Sequence, residues 1–182
     1  MNRMHIPVIA GVAQLVERES DPRIALTPLQ TLSRIAQEAS EDTGVGKRLL
    51  REIDTIGIVH IPAWYPQNAP GLLAEQLGIR PSTTLCTAAG GDMPLVLVTH
   101  VAKRIEDGLS QVALVAGTCN LATFQRAVKD ELPLDWESGG QGHPQMIGKD
   151  KPAACDRETQ HGLRPRFTSI RCSRMRCGLG AD

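Results

Sequence analysis

The stretch TTLCTAAGGDMPLVLVTHVAKRI, residues 83–105, decides the fold of this chain. It opens on a short β-branched run, turns through Gly90 and Gly91, and enters a long apolar segment headed by Asp92 and Pro94. Aspartate is a favoured helix N-cap and proline is tolerated in a first helical turn, so the pattern predicts a strand over 82–88 and a helix over 92–108 closed by Gly108. The first half of that helix is apolar on nearly every side, which predicts central burial. A strand running into a helix N-terminus is also the usual setting for an activated thiol, because the positive end of the helix dipole favours thiolate over thiol. Two positions compete for that role. Cys86 lies inside the strand, and Gly91 stands at the mouth of the helix.

Working outward, strand-like and helix-like segments alternate from residue 6 to residue 117. IPVIAGVAQL (6–15) is apolar with little alternation, as expected of a strand buried on both faces. In TPLQTLSRIAQEASEDTG (27–44), Thr27 and Gln30 form a capping box, Pro28 takes the first helical position and Gly44 ends the helix. IDTIGIVHI (53–61) reads as a second strand, NAPGLLAEQLG (68–78) as a short helix between Asn68 and Gly78, and VALVAG (112–117) as a fourth strand. Such alternation predicts an α/β layer with a mostly parallel sheet. The periodicity stops after residue 124, and 129–165, with Pro133, Pro144, Pro152, Pro165 and a GGQG cluster, reads as an extended loop region.

Composition bounds the function classes. The chain has 182 residues, 41% apolar and 22% charged, which suits one folded domain and excludes wholesale disorder. No run of about 18 apolar residues predicts a membrane span, and the N-terminus shows no cleavage-like site. Cys86, Cys119, Cys155, Cys172 and Cys177 are odd in number and widely spaced, which points to reduced thiols in a cytoplasm instead of a disulfide framework. The net charge of zero conceals an asymmetry: residues 164–182 hold five arginines against Asp182 alone.

The order of phrases resembles a known family. IPVIAGVAQL, the capped helix, IDTIGIV, GLLAEQLGIRP, the strand ending in a glycine pair, the helix closing as AKRIEDG and then VALVAG are similar to the N-terminal half of a thiolase, and within that superfamily to acetyl-CoA acetyltransferases related to the sterol-carrier-protein thiolases. The resemblance covers about residues 5–165 and is spread over many positions. It implies a layered αβαβα fold of two similar halves, of which this chain would supply the first, a homo-oligomer or partner subunit, and a place in lipid metabolism. It also implies an acyltransferase in which a cysteine at the N-terminus of the buried helix takes an acyl group from a CoA thioester. A thiolase keeps that cysteine 17 residues before the closing glycine of the helix, and counting back from Gly108 arrives at Gly91. The resemblance therefore implies a catalytically impaired member. Cys86, five residues earlier, is the fallback nucleophile, set about 15 Å from the helix mouth if the chain between is extended. Gly90 and Gly91 with Asp92 are the candidate contacts for an acyl-CoA chain, since glycines admit close approach. No further cofactor and no metal are expected.

Other readings stay open. A non-catalytic protein-interaction or acyl-CoA-binding module fits the same residues, and a nucleotide-binding α/β domain is the third, although G-x-G-x-x-G is absent after the first strand. The GHP triplet at His143 is like the histidine loop of thiolases but stands in the first half, where a solvent-exposed histidine is expected. Cys155, His161, Cys172 and Cys177 are spaced too widely for the usual zinc pairs. The organisation expected is 1–124 as the αβ half, 125–165 as loop, and 166–182 as an irregular basic tail with no nucleic-acid partner. The tail has a further reading: a set of synonymous codons for Arg166 onward, read in a shifted frame, spells VHIYPLFENALR, which resembles the family's continuation.

Overall fold

Thr27 starts the first helix as expected: its hydroxyl accepts the N–H of Gln30, and the Gln30 side chain accepts the N–H of Thr27. This capping box opens α1 (Pro28–Asp42), followed by the single turn α2 (Lys47–Leu50) and the strand β1 (Thr55–Ile58). Helix α3 (Ala69–Leu77) is capped by Asn68 and stopped by Gly78 in the left-handed conformation. Then come β2 (Thr83–Thr87), α4 (Met93–Glu106), β3 (Ala113–Ala116), α5 (Leu121–Lys129) and β4 (Gln145–Ile147). The computed structural model describes residues 5–149 and 155–162. The first block forms one compact unit. In the second stands a short helix, α6 (Asp156–Gln160).

The four strands form one all-parallel sheet in the order β3-β1-β2-β4. Ile56 and Ile58 turn to one face, where they are fully buried with Leu32 of α1 and Leu73 of α3. Gly57, between them, turns to the other face against Leu97 of α4. That second face gathers Leu85 of β2, Ile147 of β4, and Leu97 and Val101 of α4. Side chains along a strand alternate between faces, and this alternation divides the buried sheet residues between the two cores.

Three expectations are corrected. Residues 6–15 join no strand, and Ile6, Val8, Ile9 and Val12 are between 66% and 81% exposed. Gly11 is the reason: an added Cβ there would stand 2.3 Å from the Ala39 carbonyl oxygen, and the Val12 N–H donates to Asp42 at 2.9 Å, so the segment is held against the end of α1 instead of against β3. Helix α4 is not buried centrally; Met93, Leu97 and Val101 form its one buried stripe, while Leu95 and Val98 face outward. The segment 129–165 is more than loop, because Leu85–Thr87 pair with Gln145–Ile147 along the outer edge of β2. The arginine-rich tail and its shifted-frame reading lie outside the described residues.

Candidate functional site

In open parallel α/β sheets, ligands gather beyond the carboxyl ends of the strands. Here that end is built from His60 after β1, the turn Ala88–Asp92 after β2, and Gly117–Asn120 after β3. The His60 backbone N–H donates to the Thr87 hydroxyl at 2.9 Å, which ties the ends of β1 and β2 together. The His60 ring leans on Tyr65, with centroids 5.8 Å apart. After β3, the Thr118 hydroxyl donates to Asn120 at 2.8 Å, and the Asn120 amide donates to the Leu26 carbonyl at 3.2 Å. Between these two anchors sits Cys119, with its side chain exposed.

The glycine turn leads into α4. A Cβ at Gly90 would meet the Asp92 carboxylate at 2.9 Å and the Met93 side chain at 3.1 Å, so a side chain there would require these two side chains to shift. Gly91 is different: a Cβ would meet nothing within 4 Å, and its backbone lies outside the left-handed region. A side chain at this position would stand in open space at the helix mouth. Asp92 occupies the N-cap position, but its side chain makes no capping hydrogen bond. The first turn of α4 therefore lacks the side-chain acceptor that Thr27 and Asn68 provide for α1 and α3.

Cys86 lies elsewhere. It is paired in register with Ile58, which is buried against α1 and α3, whereas its neighbour Leu85 is buried against Leu97 of α4. The sulfur thus projects from the sheet face opposite to α4. Burial pushes the Cys86 thiol up, offset in part by the backbone N–H of Thr87. Neither burial nor position gives this thiol the electropositive surroundings that activate cysteines. His143 is exposed and lines a cavity of about 880 Å³ with Asn68, Glu75, Ile79 and Arg80, on the α3 side of β2. Of the expected residues the structure brings together Gly90, Gly91 and Asp92, and it keeps Cys86 and His143 apart from them. Among the described residues no three His, Cys, Asp or Glu side chains converge as a metal site.

Sequence reasoning passed over His60 and Cys119. The signal for both was position, since each lies just past a β-branched run at the end where parallel sheets place their chemistry.

No family model matches the sequence, and no curated protein matches it. The fold is similar to the crystal structure of a monomeric SCP2-thiolase-like protein type 1 from Mycobacterium smegmatis, with a TM-score of 0.54 and 27% sequence identity. The first compact unit has the fold of a thiolase-like half-domain. The match covers 64% of this chain and 24% of that protein, so the half-domain corresponds to about a quarter of the related chain's length. No described helix of the half-domain is long and apolar enough to cross a membrane.

Proposed function

We propose that this half-domain belongs functionally to the acetyl-CoA acetyltransferase branch of the thiolases, acts in cytoplasmic lipid metabolism, and holds a CoA thioester without accepting its acyl group. The observation that carries the reading is Gly91. It stands at the N-terminal mouth of α4, where an added Cβ would meet no atom within 4 Å, and it offers no nucleophile. An acyl-pantetheine arm could lie along the backbone of Gly90 and Gly91, with the thioester carbonyl at the helix N-terminus, where N–H groups and the helix dipole favour a polarised oxygen. Cys86 is the fallback acyl acceptor, and its place on the far sheet face argues against that role.

The test is calorimetry with CoA and acetyl-CoA, joined to intact-mass measurement after incubation with acetyl-CoA. Binding without any mass increase supports the reading. Acetylation at Cys86, found by peptide mapping, would overturn the assignment of inactivity, and binding of NAD but not CoA would transfer the site to a nucleotide. A second reading, an interaction module for a partner chain, draws on the outward-facing Leu95 and Val98 of α4. It predicts binding to neither CoA nor NAD.

A further inference from the structure

Residues 132–144 belong to no helix or strand, and between Glu131 and Lys149 only Ile147 is buried. The segment is fastened at two ends instead. At the first, the Glu137 carbonyl accepts the indole N–H of buried Trp64 at 2.7 Å, the Glu137 carboxylate accepts the Thr27 hydroxyl at 2.9 Å, and the Gly139 carbonyl accepts the Asn68 N–H at 2.8 Å. At the second, the Ile147 carbonyl accepts the Ala88 N–H at 2.9 Å. Gly148 then lies so close to the glycine turn that an added Cβ would stand 2.9 Å from the Met93 sulfur and 3.6 Å from the Ala88 Cβ. The first anchor is the loop after β1 that carries His60 and Tyr65, and the second is the turn after β2. One segment thus spans two turns at the carboxyl end of the sheet.

We propose that residues 134–148 are a strap that opens and closes as one unit while the sheet stays folded, and so couples the glycine turn to the His60–Tyr65 loop. A segment with little buried apolar surface, held by a few hydrogen bonds at exposed positions, opens more readily than the sheet beneath it. Each anchor ties its turn to that opening. With Glu137 withdrawn, the Trp64 indole N–H is left buried without an acceptor, which is unfavourable, so Trp64 turns out with the strap. Ala63 before it has φ +69°, a left-handed conformation that opposes an L-residue, and its release favours the same direction. At the other end, unpairing of Gln145–Ile147 removes the acceptor of the Ala88 N–H and lifts Gly148 from Ala88 and Met93, which are 4% and 6% exposed under it. The Asn68 amide also holds the Gln141 carbonyl at 2.6 Å, which leaves only Gly142–Pro144 as slack before β4. The strap is a two-state element that both turns bias, so closure at one favours closure at the other, whichever ligand the glycine turn takes.

The test is native-state hydrogen exchange on the full chain in low urea, read at the Asn68 amide, the Trp64 indole N–H and the Ala88 amide. The Val59 amide, which donates to the Ala116 carbonyl at 3.0 Å beside the sheet, is the reference. The opening constants of the three protons, corrected for intrinsic exchange, should agree within threefold and exceed that of Val59 at least tenfold. A wider spread means that the anchors fray separately, and a smaller excess means that they open only with the sheet; either result overturns the strap. Two variants then loosen one anchor each and are read at the other. Trp64→Phe keeps a ring and deletes the indole donor, and it should raise the opening constant at Ala88 at least threefold relative to Val59. Ile147→Ala weakens β4 and should do the same at Asn68. A change confined to the loosened anchor is what a merely structural contact gives, and it sinks the proposal. If one variant fails to fold, the other decides.

Discussion

The Asp54 carboxylate accepts the backbone N–H of Gln111 at 2.6 Å, and so joins the residue that opens β1 to the turn that opens β3. The same carboxylate receives the Thr55 and Ser110 hydroxyls and the Val112 N–H, while the Asp54 carbonyl oxygen receives the Ser82 hydroxyl and the Thr83 N–H at the start of β2. One side chain and its own backbone gather three strand beginnings at the end of the sheet opposite to the candidate site. Replacing Asp54 by Ala leaves several partly buried donors without an acceptor, at a cost of about 2–4 kcal/mol. Urea unfolding of Asp54→Ala against the native chain measures it.

Burial pushes the Asp54 carboxyl up, but the hydrogen bonds from Ser110, Gln111, Thr55 and Val112 outweigh it and hold the group below its ordinary value. A carboxyl depressed in the folded state contributes stability above its unfolded pKa, near 4, and loses that contribution as pH falls through the folded value. The native chain should therefore lose stability between about pH 5 and pH 2 more steeply than Asp54→Asn. Equal slopes for the two proteins in urea titrations across that window would contradict the assignment.

Gly57 and Leu97 form a tight pair across the sheet–helix interface, with an added Cβ at Gly57 standing 3.0 Å from the Leu97 side chain. Gly57→Ala is expected to cost about 1–3 kcal/mol by overpacking, and Leu97→Ala about 2–5 kcal/mol by leaving a cavity. The double variant should be more stable than the sum of the two costs predicts, because the new methyl occupies part of the space vacated. Strict additivity in a double-mutant cycle would show that the two do not meet.

Thiol reactivity should separate the two sides of the sheet. Cys119 is exposed beyond β3, whereas Cys86 is partly covered and its thiol is raised by burial. Alkylation with iodoacetamide at pH 8, followed by peptide mass mapping, should label Cys119 at least tenfold faster than Cys86. Gly91→Cys should add a third class of thiol, faster than either, since it would stand in open space at a helix N-terminus. If the thiol introduced by Gly91→Cys reacts no faster than Cys86, the electrostatic basis of the proposed site is removed.

Asn68 is fully buried, and its side chain serves two segments at once. Its carbonyl oxygen caps α3 at the Gly71 N–H, and its amide donates to the Gln141 carbonyl at 2.6 Å. Asn68→Ala should cost about 2–3 kcal/mol and speed amide exchange across 139–143. Asn68→Asp would keep the cap and lose the donor, so it should release the loop while costing α3 less.

Local hydrogen-bond chemistry was legible in the sequence wherever a short motif closes on itself. The capping box of Thr27 and Gln30, the Asn68 cap and the left-handed Gly78 each need only a few neighbouring residues, and each is present. What failed was the environment of apolar runs. IPVIAGVAQL has the composition of a buried strand, yet pairing requires a neighbour at the right distance, and nothing within ten residues encodes the hold of Ala39 and Asp42 on Gly11 and Val12. The apolar surround of α4 states an appetite for burial, which the described residues meet only along Met93, Leu97 and Val101. Helix α5 is short, with Phe124 and Ala127 one helical turn apart as its buried apolar residues, so its periodicity is too brief to stand out beside the proline-rich stretch that follows. The site was legible as a turn, Gly90–Gly91–Asp92, and the side of the sheet on which Cys86 lies was not, since that depends on which face of β2 Leu85 takes.

That last dependence sets a limit on how this scaffold could ever acquire thiol chemistry. Parity separates the Cys86 sulfur from α4: odd-numbered residues of β2 look toward the helix and even-numbered ones look away. No rotamer crosses a hydrogen-bonded sheet. A slip of one residue would bring Cys86 round, and it would simultaneously turn Leu85 out of the core it shares with Leu97 and break the registration with Ile58 and Met146. A single substitution at Gly91 demands none of this, so the shortest mutational path to a sulfur at the mouth of α4 begins at the glycine and bypasses the cysteine already present.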